Sequence, residues 1–344
     1  MKHSDASLAA FIARYPLAEP RDMMKLLYQR EFGCGHMVVD EARCLAMLTS
    51  EYGAAARGET LLEDIGGGYA RLYLGNARDE HYAPELLSRV FFLSAQQKGG
   101  DGAHFLACAD ALKDYFDPAA VDVLKREALD SGFAPFSHSE KYRAAYRPAY
   151  RVILSAYGAL LPALRLIDEK KKAKRPVIVG LDGRCGAGKT TAAGLLSAFF
   201  GAPVIHMDDF FLPPALRTAA RLHEPGGNIH YERFQAEVAD RLSRGEPASY
   251  GVFDCSKGRV TRQNTAPIGE VAVIEGSYAL HPKLKSLYDV RLFADIDEKT
   301  QAARIVRRNG EAGYLPFRDK WIPLEEAYFD AFSIRDACDE ILFL

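Results

Sequence analysis

The sequence has almost no net charge, few cysteines and no long hydrophobic run. Its 44 Lys and Arg residues nearly balance 46 Asp and Glu residues, which gives a formal net charge of −2. A chain with this balance has no general attraction for nucleic acid or anionic membranes, so any phosphate site must be local. No apolar stretch approaches the roughly 18 residues that cross a bilayer, and residues 1–14 lack the apolar core of a signal peptide. We therefore expect a cytoplasmic protein with no nucleic-acid or membrane partner.

The six cysteines are dispersed along the chain and include no C-x-x-C pair. This distribution favours free thiols in a reducing compartment over a disulfide framework. Cys34 and His36 lie close together in the segment F-G-C-G-H and could contribute to a metal site. Because no second pair of ligands accompanies them, we favour a buried thiol beside a turn. Cys185 lies inside the glycine-rich segment described next, where a reactive thiol would make activity sensitive to oxidation.

One glycine-rich segment organises the chain: residues 177–191 read V-I-V-G-L-D-G-R-C-G-A-G-K-T-T. A β-branched run leads into G-x-x-x-x-G-K-[ST] and a helix-prone stretch follows, which is the context of a phosphate-binding loop and not of a chance glycine turn. We expect its backbone amides and the helix N-terminus to bind nucleotide phosphates. Lys189 should reach the β- and γ-phosphates, and the Thr190 hydroxyl should hold Mg²⁺. The predicted nucleotide-binding residues are Gly183, Gly186, Ala187, Gly188, Lys189, Thr190 and Thr191.

The 344 residues have room for about two domains. Up to Asp168, apolar residues recur at a spacing of three and four, which predicts a mainly α-helical N-terminal domain. Within it, residues 69–74 follow three glycines and fit either a strand or the start of a helix. A lysine-rich run ending at Pro176 predicts the boundary between a domain at 1–168 and a second domain at 176–344.

Strands and helices alternate after the glycine-rich loop. The predicted strands are residues 203–206, 271–274, 290–294 and 341–344, and the predicted helices are residues 231–243 and 299–308. Alternation of this kind predicts an α/β fold of the P-loop NTPase type, a parallel sheet with helices on both faces. Ligands of such sheets bind at the carboxyl ends of the strands, where Gly183, Asp208 and Glu275 fall.

Three acidic residues at these strand ends could serve phosphoryl transfer. Such a reaction needs a carboxylate near the acceptor hydroxyl, and Asp208 is the predicted general base. Asp209 should point to the other face of an extended segment, where it could cap the next turn. Glu275 ends a buried strand, and Thr190, Asp208 and Glu275 together make an oxygen-rich magnesium shell.

Arginines after the fourth strand of this domain form a second candidate group. Arg304, Arg307 and Arg308 share one helical face through their spacing of three and four. A solvated face is the alternative, but their position favours a lid that brings planar, bidentate guanidinium groups onto the transferring phosphate. Asn309 and Gly310 should end this helix.

These elements resemble the phosphoribulokinase and uridine kinase family of P-loop kinases. The resemblance rests on L-D-G-R-C-G-A-G-K-T-T, H-M-D-D-F-F, I-E-G and R-I-V-R-R in this order and spacing, and it covers residues 176–344. It implies ATP and Mg²⁺ as cofactors and a small-molecule acceptor. For single residues it implies catalytic roles for Asp208 and Lys189, a magnesium-associated acid at Glu275, and a lid with Arg304, Arg307 and Arg308.

The acceptor is the least defined part of this prediction. Uridine kinases carry a histidine that reads the pyrimidine after an aromatic-Asp segment, whereas residues 253–259 read F-D-C-S-K-G-R without a histidine. A nucleoside and a sugar- or polyol-type metabolite therefore both stay open. The candidate acceptor contacts are Asp209, His230, Tyr231, Lys257 and Arg259.

The first domain resembles no family that we recognise, and its role stays open. It could cover the acceptor pocket, regulate the kinase or hold the subunits of a homo-oligomer together. An alternative for the whole chain is an ATP-gated regulatory or binding protein that uses a kinase-like fold without phosphorylating a small molecule. Enzymatic activity in the first domain has only four scattered candidates, which are Cys34, His36, His81 and His104.

Overall fold

A computed structural model describes residues 6–38, 40–97 and 99–344. The chain forms two compact units, Met1–Gly158 and Ala159–Leu344. The division falls inside one long helix, upstream of the boundary that the lysine-rich run predicts. Within the described ranges, none of the helices combines the length and apolar character needed to span a membrane.

The N-terminal unit is mainly α-helical, with one small antiparallel sheet. Its elements in chain order are α1 (Ala6–Arg14), α2 (Pro20–Phe32), α3 (Glu41–Tyr52), β1 (Leu62–Gly66), β2 (Tyr69–Tyr73), α4 (Leu74–Asp79), α5 (Pro84–Ala95), α6 (Gly102–Asp110), α7 (Pro118–Asp130), α8 (Glu140–Tyr146), β3 (Tyr150–Leu154) and α9 (Ser155–Lys171), which continues into the second unit. Prolines begin α2, α5 and α7, where a missing N–H has no consequence. Aspartates 40, 101 and 117 cap α3, α6 and α7 through their side chains.

Residues 69–74, for which the sequence left a strand and a helix start as alternatives, contain both. Gly66, Gly67 and Gly68 all have positive φ and turn the chain between β1 and β2. Strand β2 then pairs on its other side with β3, so the strand order is β1-β2-β3. Helix α4 begins at Leu74, directly after the strand. The alternating pattern therefore corresponds to a strand up to Tyr73, and Leu74 is the first residue of a helix.

The C-terminal unit is a parallel sheet with helices. Its elements in chain order are β4 (Val177–Gly183), α10 (Lys189–Phe200), β5 (Val204–His206), α11 (Ala219–His223), α12 (Tyr231–Phe234), α13 (Asp240–Ser243), β6 (Ala248–Asp254), β7 (Arg259–Ala266), β8 (Val271–Glu275), β9 (Val290–Ala294), α14 (Glu298–Pro316), α15 (Ile322–Phe332) and β10 (Glu340–Leu342). Five strands pair in parallel in the order β10-β9-β4-β8-β5. This sheet confirms the predicted α/β fold, with the fully buried β4 at its centre.

Two features of this unit differ from the sequence prediction. Strands β6 and β7 form a separate antiparallel hairpin, where no strand was predicted. Helix α14 does not end at Gly310. That residue has a non-helical φ of 74°, and helical structure resumes beyond it up to Pro316. The glycine therefore makes a kink between two helical segments.

Glycines at two strand ends allow the tight turns beside the phosphate loop and the acidic residues. Gly183 ends β4 with φ of 133°, and a Cβ there would collide with the carbonyl oxygen of Ala294. Gly276 follows β8 with φ of 134° and lies against Met207. Both positions need glycine because they combine a positive φ with close packing. Because β4, β8 and β5 are parallel, the segments that follow these strands start from the same edge of the sheet.

Candidate active site

The phosphate loop folds into the strand–loop–helix geometry that its sequence predicts. Gly186 and Gly188 both have positive φ, and α10 begins at Lys189. The Lys189 ammonium group donates hydrogen bonds to the carbonyl oxygens of Gly183 and Arg184, the latter at 3.1 Å. The cation therefore lies along the loop, where a bound phosphate would compete with these carbonyls for it.

The predicted magnesium residues meet beside the start of α10. The Thr190 hydroxyl lies 3.5 Å from Oε1 of Glu275, which is buried at the end of β8. His206 Nδ1 lies 2.6 Å from the same oxygen, an ion pair when the imidazole is protonated. The Asp208 carboxylate interacts electrostatically with both Glu275 and Lys189. The loop, the end of β5 and the end of β8 thus contribute to one site.

The electrostatics of this site suit a base that stays available near neutral pH. Asp208 is exposed to solvent at the surface, but the surrounding protein still desolvates its carboxyl group. This desolvation, followed by the negative charge of Glu275, raises the pKa of Asp208 above its ordinary value, while Lys189 opposes the rise. Glu275 also gives the His206 imidazole a raised pKa, mainly through their hydrogen bond.

The oxygen donors at this site fit Mg²⁺ as part of a nucleotide complex. Among the described residues, no group of three or more His, Cys, Asp or Glu side chains could hold a metal by itself. Mg²⁺ commonly uses one or two carboxylates together with substrate phosphates and water. Thr190, Asp208 and Glu275 offer a hydroxyl and two carboxylates of that kind, so a magnesium–nucleotide complex suits them better than a free ion.

Asp208 and Asp209 do not lie on the extended segment that the sequence predicted. Residues Met207–Phe210 form a turn of 3₁₀ helix, so adjacent side chains are not on opposite faces. The Asp209 carboxylate interacts with His206, Arg262 and Arg233, although its own burial still raises its pKa. Asp208 therefore faces the phosphate loop, whereas Asp209 is closer to the arginines of the β6–β7 side.

The predicted lid arginines take three different positions. Arg304 donates to the carbonyl oxygen of Gly186 at 3.2 Å and also to that of Leu344, so it contacts the phosphate loop directly. Arg308 lies over the Phe317 ring, with 5.5 Å between the guanidinium carbon and the ring centroid. Arg307 is exposed. Arg304 thus hydrogen-bonds to the loop, and the charge of Arg308 also acts on the Cys185 thiol of the loop.

Sequence reasoning missed a set of contacts between α15 and the phosphate loop. Glu325 accepts from the backbone N–H of Cys185 at 2.9 Å and from the Ser277 hydroxyl at 2.7 Å. Glu326 binds Arg184 through two hydrogen bonds of 2.7 and 2.9 Å. Glu325 lies 140 residues from Cys185 and Glu326 lies 142 residues from Arg184, and no local pattern links such distant positions. The geometry indicates that α15 fixes the first turn of the loop.

A buried aspartate extends the same contact zone. Tyr328 of α15 donates to Asp182 at 2.9 Å, and the backbone N–H of Leu280 donates to the same oxygen at 3.0 Å. Asp182 is completely buried, and burial raises its pKa to about 6. Its carboxyl group therefore ties the base of the loop to both α15 and the segment after β8.

The surroundings of Cys185 disfavour a reactive thiol in the loop, and its oxidation sensitivity stays a prediction. Burial, with the nearby charge of Glu325 as the next cause, raises the pKa of this thiol to about 12. The thiolate is the reactive form, so Cys185 stays protonated and unreactive at neutral pH. Its sulfur instead accepts a hydrogen bond from Gln301 at 3.4 Å.

We expect replacement of Glu325 with alanine to weaken the C-terminal unit by about 2 kcal/mol, because a buried amide and a hydroxyl lose their acceptor. The chain's single tryptophan, Trp321, lies directly before α15 and reports on this region during urea denaturation. Glu311→Ala, an exposed acid on α14, is the matched control and should change stability by less than about 0.5 kcal/mol. Equal stability of the two variants would contradict the role assigned to Glu325.

The predicted acceptor residues do not form one group. Tyr231 is 3% exposed, packs on the His281 ring and donates to the Gly226 carbonyl, so in this structure it is part of the core and does not line an open acceptor surface. His230 is partly exposed, and its backbone N–H donates to the Phe210 carbonyl at 2.7 Å, which keeps it beside the turn that carries Asp208. The pKa of His230 is lowered, mainly by burial.

The hairpin β6–β7 carries two of the other candidates, and further residues lie on the same side. Lys257 lies in its turn and pairs with Asp254 at 3.2 Å, while Arg259 is exposed on β7. The hairpin turn approaches the acidic residues, because the charge of Asp208 acts on the Cys255 thiol. The additional acceptor-side residues are Arg217, Cys255 and Arg262, none of which carries a sequence signal.

Comparison with known proteins supports the resemblance that the motifs indicated. The chain is 27% identical over 134 residues to uridine-cytidine kinase C of Dictyostelium discoideum. This alignment covers 38% of this chain and 30% of that protein. It is 26% identical over 150 residues to a uridine kinase of Streptococcus pyogenes, which covers 40% of this chain and 69% of that protein. It spans 35% of the length of the Arabidopsis thaliana uridine/cytidine kinase UKL1, at 23% identity.

Other comparisons add little. No family model matches the chain. A D-glycerate 3-kinase from Cryptococcus neoformans aligns with a TM-score of 0.33 at 13% identity, over 53% of this chain and 84% of that chain, which is too weak a likeness to support a conclusion. The sequence matches are the informative comparison: alignments that cover 38% and 40% of this chain show similarity to uridine kinases.

Proposed function

We propose that the C-terminal unit is an ATP-dependent kinase that transfers the γ-phosphate to a hydroxyl group of a small metabolite. One observation supports this most strongly: Lys189, Thr190, Asp208 and Glu275 converge at one edge of the sheet, beside a glycine loop of phosphate-binding geometry. A nucleotide held by this loop would present its terminal phosphate towards Asp208. The similarity to uridine kinases supports the same reaction class.

The residues of the site divide the reaction between them. The loop amides and Lys189 bind and orient the phosphates, which keeps the transferring group in line with the acceptor. Asp208 accepts the proton of the acceptor hydroxyl as that oxygen attacks. Arg304, already in contact with the loop, adds positive charge near the phosphates. Mg²⁺ bound with the nucleotide would neutralise phosphate charge at Thr190 and Glu275.

The acceptor side favours an oxygen-rich metabolite, either a nucleoside sugar or a sugar-type alcohol. The space beyond Asp208 borders the β6–β7 turn and the segment around His230. The side chains on this side include the cations Arg217 and Arg262 besides the carboxylate of Asp209. Such groups bind hydroxyl, carbonyl or anionic oxygen atoms. A pyrimidine base would have to be recognised by a residue other than the histidine that uridine kinases use.

We expect Arg262→Gln to raise KM for the acceptor about tenfold and to leave KM for ATP unchanged. Arg262 is exposed on the hairpin and acts electrostatically on Asp209, and within the described part of the chain its side chain makes no hydrogen bond or ion pair. Steady-state kinetics with both substrates varied would measure the effect. Arg244→Gln, which removes an exposed arginine paired with Glu246, is the control. A change in KM for ATP alone would contradict the acceptor assignment.

The test of the function itself is acceptor-dependent ADP release. A panel of nucleosides, pentose phosphates, glycerate and pantothenate covers neutral and anionic alcohols. We expect one class to stimulate ADP release well above the rate with ATP alone. Tight ATP binding with no stimulation by any member of the panel would favour the nucleotide-gated regulatory protein instead.

A further inference from the structure

Helix α6 of the N-terminal unit carries a thiol and an imidazole one turn apart. Cys108 follows His104 by four residues, a spacing that brings side chains together on a helix surface. Its Sγ atom lies 3.6 Å from His104 Nε2, within hydrogen-bonding distance for sulfur. Cys108 is partly exposed, so small reagents can reach it.

A carboxylate orients this imidazole. Glu31 Oε2 lies 2.7 Å from His104 Nδ1, and Glu31 Oε1 accepts the backbone N–H of Asp101 at 2.6 Å. Asp101 caps the same helix, so the carboxylate is fixed to the start of α6. With Nδ1–H donated to Glu31, the other ring nitrogen faces the sulfur. The hydrogen bond to Glu31 also raises the pKa of His104, which stabilises an imidazolium.

Other cysteines lie in surroundings that disfavour the thiolate. Burial raises the pKa values of Cys34, Cys185 and Cys338 to about 12, which leaves these thiols protonated at neutral pH. Cys255 is exposed, yet partial burial and the charge of Asp208 raise its pKa as well. A thiol beside an oriented imidazole is expected to react faster than any of these four.

We propose that Cys108 is a modification site, a nucleophilic thiol activated by His104 and Glu31 that takes low-molecular-weight disulfides. In the reaction, His104 Nε2 accepts the thiol proton and the sulfur attacks one sulfur of the disulfide. The S–S bond of the reagent breaks, a mixed disulfide forms at Cys108, and the other half leaves as a thiolate that takes up a proton. An excess of free thiol reverses the modification. This inference does not depend on the proposed kinase activity.

The test is the rate of modification at each cysteine of the full chain, resolved by mass spectrometry. Iodoacetamide reports the nucleophilicity of each thiol, and oxidised glutathione reports mixed-disulfide formation. At pH 7 we expect Cys108 to react about tenfold faster than the exposed Cys255 with both reagents. His104→Gln should slow Cys108 about fivefold or more and move its rate profile to higher pH. Glu31→Gln should have a smaller effect in the same direction.

Matched measurements separate this role from a change in folding. His223→Gln removes an exposed imidazole from the other unit, and circular dichroism verifies the helix content of every variant. The rate at Cys108 should stay unchanged in His223→Gln. A reaction at Cys108 no faster than at Cys255, or an unchanged rate in a folded His104→Gln variant, would overturn the proposal.

Discussion

Replacing Lys189 with alanine is expected to lower kcat/KM for phosphoryl transfer by about a thousandfold or more while the chain stays folded. Its ammonium group contacts loop carbonyls and is partly exposed, so the core loses nothing when it is removed. The phosphates, in contrast, lose the cation that lies along them in the transition state. Coupled ADP release with the best acceptor measures the loss, and thermal denaturation tests the fold.

A matched lysine separates loss of this cation from a general loss of charge. Lys285→Ala removes an exposed lysine of the same unit and should keep full activity. We expect Lys189→Arg to recover little of the activity. The planar guanidinium group of arginine is larger than an ammonium group and does not fit a contact formed by a compact charge. Turnover of Lys189→Ala within about threefold of the unmodified chain would show that the loop does not bind the reacting phosphates.

Replacing Asp208 with asparagine is expected to lower kcat about a hundredfold to a thousandfold with little change in ATP affinity. The amide keeps the size of the side chain but cannot accept the hydroxyl proton. Asp208 is the acid that interacts with both Glu275 and Lys189, which places the reacting groups around it. Single-turnover kinetics would separate the chemical step from nucleotide binding.

The neighbouring acid is the natural control for Asp208. Asp209 lies in the same turn but interacts with Arg233 and Arg262, on the hairpin side. Asp209→Asn should therefore change KM for the acceptor more than it changes kcat. If Asp209→Asn abolished turnover and Asp208→Asn kept it, the two roles would be exchanged; if both variants stayed fully active, neither acid would be the base.

The sequence predicted the sheet and the phosphate loop because their signals are local. A β-branched run, a glycine spacing and a helix-prone stretch are contiguous in residues 177–200. Buried parallel strands also read as short apolar runs, so β8 and β9 could be identified without knowing their partners. The acids at the strand ends followed from the rule that ligands bind at the carboxyl edge.

The contacts around the loop could not be predicted because they depend on tertiary structure. Glu325 and Glu326 read as ordinary helical acids, yet one is buried against the amide of Cys185. Tyrosine is a residue type that often contacts ligands, and only the packing shows that Tyr231 belongs to the core. The exposed strand β7 has seven exposed residues before its last one and lacks the alternation that marks a half-buried strand.

The N-terminal unit shows the same limit in its core. Arg71 is fully buried, with its guanidinium carbon 4.6 Å from the centroid of the Tyr150 ring. Gln29 accepts from it at 2.9 and 3.1 Å, and Glu63 lies 3.4 Å away. Residue type alone places such an arginine at the surface. Its burial depends on partners from helix α2 and strands β1 and β3, which sequence spacing does not bring together.

Titration calorimetry with magnesium and ATP is the most direct test of nucleotide binding at the loop of residues 183–190. We predict one binding site per chain, with a dissociation constant below about 1 mM, that is lost in Lys189→Ala and kept in Asp208→Asn. Absence of heat at millimolar ATP and at millimolar GTP, with a chain shown to be folded, would contradict a phosphate site there and with it the proposed kinase.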